Sequence, residues 1–108
     1  MTPINATDFI SRLENKDELI VLDVREELEY LTYNIGGRNI PLSKLASIID
    51  ELNYNKIDEI IVICSKGLRS QTACQLLNEK GYNNARNLTG GLIALQKINT
   101  NKHINYYG

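Results

Sequence analysis

Two runs of consecutive apolar residues stand out along the chain, Leu19-Ile20-Val21-Leu22 and Ile60-Ile61-Val62-Ile63. Neither alternates with polar positions, which suits strands covered on both faces. Elsewhere the apolar positions recur three and four apart: Phe9, Ile10 and Leu13; Leu45, Ile48, Ile49 and Leu52; Ala73, Leu76 and Leu77. That spacing is the mark of helices with one buried stripe. Strand and helix signals alternate, so the pattern predicts an α/β domain with a mainly parallel sheet.

Local signals refine this reading. Ile4 starts a short edge strand, and Asn5 caps the first helix, with Asp8 placed as a capping-box partner. The first long strand ends at Asp23, and Glu26 to Leu31 form a short helix. Asn39-Ile40-Pro41-Leu42 is extended, and Ser43 caps the next helix. The second run, β-branched throughout, delivers Cys64 to its carboxyl end. A helix follows from about Ser70 to Lys80, and Gly81 stops it. Ala85 to Leu88 is the last strand, Gly90-Gly91 a turn, and Leu92 to Ile98 the final helix. No repeat or linker interrupts residues 1–108, so one domain is expected.

Composition narrows the function. Twelve basic residues face thirteen acidic ones, for a net charge of -1, so no nucleic-acid partner is expected. No apolar run is long enough for a membrane span, and no signal peptide is visible at the start. A cytoplasmic monomer is expected. Two cysteines, Cys64 and Cys74, are too few for a disulfide framework. With a single histidine, His103, and no Cys-x-x-Cys pair, neither a metal nor another cofactor is expected.

The chemistry centres on Cys64-Ser65-Lys66-Gly67-Leu68-Arg69-Ser70. This segment lies between a buried strand and a helix start, where α/β sheets bind ligands. A helix start presents unpaired N–H groups and a positive dipole end. A loop curled before it can aim several amides at one point. Lys66 and Arg69 add positive charge, and Gly67 permits the positive φ of a tight curl. All of these favour a Cys64 thiolate, the nucleophilic form. Cys74 lies inside the following helix without such a loop and is expected to be a core residue.

Cys64-x-x-Gly67-x-Arg69-Ser70 resembles the active-site loop of rhodanese-like domains. The resemblance extends over nearly the whole chain. Leu22-Asp23-Val24-Arg25, with Glu29-Tyr30, is similar to the family's early Asp-Val-Arg signature. Asn39-Ile40-Pro41-Leu42 is similar to the extended segment after it, and Leu88-Thr89-Gly90-Gly91 to the late double-glycine turn. Asn34-Ile35-Gly36-Gly37 resembles a subset fused to sulfur-transfer proteins.

The resemblance implies a five-stranded, mainly parallel sheet with helices on both faces. It implies a sulfurtransferase in which Cys64 takes sulfur from thiosulfate or another persulfide donor and passes it to a thiol or protein acceptor. The amides of Ser65, Lys66, Gly67, Leu68 and Arg69 would cradle the persulfide. The chain departs from the family at Ser65, where many members carry Arg, and at Leu95, where many carry Trp.

Other residues take supporting roles. Asp23 is read as a strand-end carboxylate bonded to backbone, or as a group orienting the loop or Arg25. Arg25 and Glu29, four apart, are placed to pair along the short helix. Arg69 either touches the bound anion or pairs inward with a carboxylate. Lys66 lies at the rim, where it steers anions. His103 is placed in a polar tail, and Tyr106 and Tyr107 over a core edge or on a partner surface. Two rivals remain: a cysteine phosphatase or arsenate reductase, and a non-catalytic binding module of the same fold. The former uses Cys-x5-Arg, whereas four residues separate Cys64 from Arg69 here.

Overall fold

The computed structural model describes residues 2–102. The elements run α1 (Ala6–Glu14), β1 (Ile20–Asp23), α2 (Glu27–Thr32), β2 (Arg38–Asn39), α3 (Leu42–Ile48) with a 3-10 turn (Ile49–Glu51), β3 (Ile60–Ile63), α4 (Leu68–Glu79), β4 (Ala85–Asn87) and α5 (Gly91–Lys102). The strands lie in the order β2-β1-β3-β4, all parallel. His103, Tyr106 and Tyr107 fall outside the described residues.

The core follows from the alternation of side chains along β3. Ile60 and Val62 face one side, packing with Leu45, Ile49, Ala73, Cys74 and Leu77 from α3, the 3-10 turn and α4. Ile61 and Ile63 face the other side, packing with Phe9, Ile10, Leu92 and Leu95 from α1 and α5. All four β3 side chains are fully buried. Full burial of one such side chain contributes about 1.5–3 kcal/mol. Helices therefore cover both faces, as the unbroken apolar runs require.

The expected fifth strand is reduced to one bridge, Ile4 to Leu88. Ile4 donates to the Asn87 carbonyl at 3.0 Å and accepts from the Thr89 amide at 2.9 Å. Pairing goes no further because Asn5 turns the chain at once, its Oδ1 accepting from the Asp8 amide at 2.7 Å to cap α1. Three boundaries also differ. α3 starts at Leu42, with Pro41 rather than Ser43 at the cap, because the Leu42 amide is drawn to the Val24 carbonyl at 3.0 Å. α4 starts at Leu68, two residues early, because Gly67 adopts the left-handed turn itself. α5 continues through Lys102, into the segment read as a polar tail. Leu13, expected on the buried stripe of α1, is 38% exposed.

Candidate active site

Parallel pairing of β3 with β1 and β4 brings the ends of three strands together beneath one loop. Cys64 leaves β3 there and is 1% exposed. It lines, with Ser65, Lys66, Leu68 and Arg69, an open depression of about 410 Å³. Leu68 is 70% exposed at its rim, and Lys66 is also exposed.

The loop turns its amides inward. Gly67, at φ +94°, donates to Cys64 Sγ at 3.1 Å, and the Ser70 amide donates at 3.4 Å. The Ser70 hydroxyl lies 3.3 Å from the same sulfur. Burial pushes the Cys64 thiol up, but the Ser70 hydroxyl and the amides of Ser70, Gly67 and Lys66 outweigh it, so the pKa falls below the ordinary value. The amides that reach Cys64 Sγ itself belong to residues 66, 67 and 70.

The carbonyls of the loop are held from behind. Leu92 donates to the Cys64 carbonyl at 2.9 Å, and Ile93 donates to the Ser65 carbonyl at 3.1 Å. The first turn of α5 thereby uses its free N–H groups to fix the loop's outward face. Gly91 makes this approach possible, since a Cβ there would strike the Cys64 and Ser65 carbonyl oxygens.

Arg69 takes the inward of its two expected roles. Its Nη1 donates to Glu29 Oε1 at 2.6 Å and its Nη2 to Oε2 at 3.0 Å. Nη2 also reaches Ser65 Oγ at 3.4 Å. Arg69, helped by the Glu26 amide, overcomes burial and holds the Glu29 carboxyl down at about 2. The expected Arg25–Glu29 side-chain pair does not form. Arg25 instead grips Asp23, with Nη2 to Oδ2 at 2.8 Å and Nε to Oδ1 at 3.1 Å. It also donates to the Tyr33 carbonyl at 2.7 Å and, at 3.4 Å, to the Glu29 carbonyl. The Asp23–Arg25 pair braces α2 and does not touch the sulfur.

Two residues of the site escape the sequence reading. Glu29 carries the arginine, and Asn87 on β4 bonds the Ser70 hydroxyl through Oδ1 and the Gly67 carbonyl through Nδ2 at 3.1 Å. Their partners lie far off in sequence, where periodicity gives no signal. For Glu29 the signals are its place in the Glu29-Tyr30 pair after Asp-Val-Arg and the expectation that Arg69 pairs inward with a carboxylate, neither of which singles out this carboxylate.

The two cysteines should separate cleanly. Cys74 is buried, and burial alone pushes its thiol up to about 12. At about pH 8, iodoacetamide should alkylate Cys64 and spare Cys74 until the protein is unfolded, as read by peptide mass mapping. Equal labelling of both in the folded protein would contradict the assignment. Because the unfolded chain ionises Cys74 first, its burial also lowers stability as pH rises from the ordinary thiol range towards 12.

Among the described residues, no group of three or more His, Cys, Asp or Glu is placed to hold a metal ion. No helix of the described residues is long and apolar enough to cross a membrane. The sequence matches the rhodanese-like domain description over residues 5–97. It is 34% identical over 90 residues to the Bacillus subtilis protein YrkF, covering 82% of this chain and 48% of YrkF, so the chain spans about half of that relative. A sulfurtransferase of Allochromatium vinosum is 26% identical over 92 residues, with 84% of each chain covered. The crystal structure of a rhodanese-like domain protein from Staphylococcus aureus superposes with a TM-score of 0.76 at 28% identity, covering 88% of this chain and 91% of that one. A buried thiol at the end of the central strand, ringed by inward amides, thus occurs in a chain that belongs to the rhodanese-like domain family.

Proposed function

We propose that this domain is a sulfurtransferase that carries sulfane sulfur on Cys64. The observation that carries the reading is the sulfur of Cys64 receiving the Gly67 and Ser70 amides at the floor of an open depression. Such donors stabilise an anion without having to reorganise when it forms. The Cys64 thiolate attacks the outer sulfur of thiosulfate, or of another persulfide. The S–S bond of the donor breaks, and sulfite departs with the electron pair. Cys64-S-S⁻ remains, its negative charge one atom further out and within reach of the loop. The thiolate of an acceptor, a small thiol or a protein cysteine, then attacks the terminal sulfur and releases the Cys64 thiolate. Both steps are substitutions at sulfur, so no outside oxidant or reductant is needed.

Lys66 at the rim draws in the anionic donor. Arg69 is engaged by Glu29 rather than lying free over the sulfur. That favours sulfur over a tetrahedral phosphate, which needs an arginine to clasp its oxygens. The relative from Allochromatium vinosum bears the name sulfurtransferase, which agrees with this reading.

Intact mass spectrometry after incubation with thiosulfate tests it. The native protein should gain one sulfur atom, removable by dithiothreitol, while Cys64→Ser gains none. No gain in the native protein with either thiosulfate or a glutathione persulfide donor, or an equal gain in Cys64→Ser, would defeat the proposal.

A further inference from the structure

The Ser70 hydroxyl is fully buried and touches two groups that both accept protons, Cys64 Sγ and Asn87 Oδ1. It has one proton to give. The orientation of Asn87 is not free. Its Nδ2 donates to the Gly67 carbonyl at 3.1 Å. A flipped amide would set Oδ1 against that carbonyl, acceptor to acceptor, so the loop itself turns Oδ1 towards Ser70. With Cys64 as a thiol, every group is satisfied: Sγ–H donates to Ser70 Oγ, whose proton goes to Asn87. Once Cys64 ionises, the sulfur claims the Ser70 proton and Asn87 Oδ1 loses its donor.

We propose that Asn87 is a positioning residue that competes with the Cys64 sulfur for the Ser70 hydroxyl proton and so tempers how readily Cys64 ionises. The amides of residues 66, 67 and 70 favour the thiolate, and Asn87 opposes them through Ser70. The hydroxyl then acts as a movable donor. It swings to the sulfur when charge gathers there and returns to Asn87 when charge passes to the outer atom of the persulfide. This use in transfer rests on Cys64 carrying sulfur, but the competition for the proton does not.

The charged groups around Cys64 are Lys66 on the loop, Arg69 in the first turn of α4, Glu29 on α2 and the Asp23–Arg25 pair at the end of β1. Cys74 on α4 packs in the same cluster and stays protonated. On β4, Arg86 is turned away to Glu59, and the first turn of α5 has no charged side chain. None of these groups is altered by substituting Asn87.

The test is the pH dependence of Cys64 alkylation by iodoacetamide. It reads the charge on sulfur whether or not sulfur is ever transferred, so it succeeds or fails independently of the sulfurtransferase reading. Asn87→Ala and the near-isosteric Asn87→Leu should each shift the midpoint down by about 0.5–1 pH unit, the value of one hydrogen bond. Asn87 lines an open depression with Pro3, Gln71 and Thr89, so truncation leaves no sealed void. Ser70→Ala should shift the midpoint up, and adding Asn87→Ala to it should bring no downward shift. A residue that merely braced the loop would act the other way, because releasing Gly67 loosens the amides on the sulfur and raises the midpoint. An upward or absent shift, a shift that persists at full size in the Ser70→Ala background, or loss of the fold in both Asn87 variants would overturn the proposal.

Discussion

Replacing Asp23 with alanine should destabilise the domain by about 3–5 kcal/mol, the usual cost of orphaning a buried charge. Asp23 is 0% exposed and Arg25 4% exposed. The carboxylate accepts from the Arg25 amide at 3.0 Å as well as from its guanidinium. Without it, the guanidinium is left among the carbonyls of Glu29 and Tyr33, which cannot neutralise it. Those contacts also tie α2 to the sheet, so Glu29 should lose its station beside Arg69. Urea denaturation measures the loss. The double variant Asp23→Leu/Arg25→Met should recover most of it, since two apolar side chains leave no stranded charge. A single variant within about 1 kcal/mol of the native protein, a cost typical of exposed pairs, would refute this account.

Gly91→Ala should be nearly as damaging and should act on the site as well as on the fold. Gly91 has φ +60°. A Cβ there would press on the Cys64 carbonyl oxygen and come within 2.5 Å of the Ser65 carbonyl oxygen. Both are backbone atoms, held by the Leu92 and Ile93 amides, and cannot step aside as a flexible side chain would. The cost should be about 2–4 kcal/mol from steric overlap and left-handed strain combined. Relief can come only by parting α5 from the loop, which frees the loop carbonyls and lets the amides turn off the sulfur. The Cys64 midpoint should therefore rise towards that of an ordinary thiol while the stability falls. Native stability together with an unchanged alkylation profile would rule this out.

The parts of the molecule readable from sequence are those set by neighbours along the chain. The four apolar residues of β3 announced a strand buried on both faces, and the helical spacing of Ala73 and Leu77 announced its covering helix. The loop was legible because Cys64, Gly67, Arg69 and Ser70 stand close together. What sequence hid was pairing at a distance. Spacing matches Glu29 to Arg25, its neighbour one helical turn away, yet Arg69 holds it from forty positions off. Arg25 prefers Asp23 because both are buried at the strand end, where a charge without a partner is costly. Asn87 is a polar residue on a short strand, and nothing in its neighbours along the chain marks it. Its importance appears only when β4 lies beside the start of α4. The fifth strand failed for a local reason, since Asn5 turned the chain into a helix after a single paired residue.

The sheet is closed off at both margins by very little chain. One margin is the two-residue strand β2, and the other is the lone bridge at Ile4, where Arg86 also reaches the Thr2 and Pro3 carbonyls. Short margins offer a neighbouring polypeptide little backbone to add itself to. A sheet bordered this way resists merging with the sheet of a neighbouring chain even where the two are crowded together.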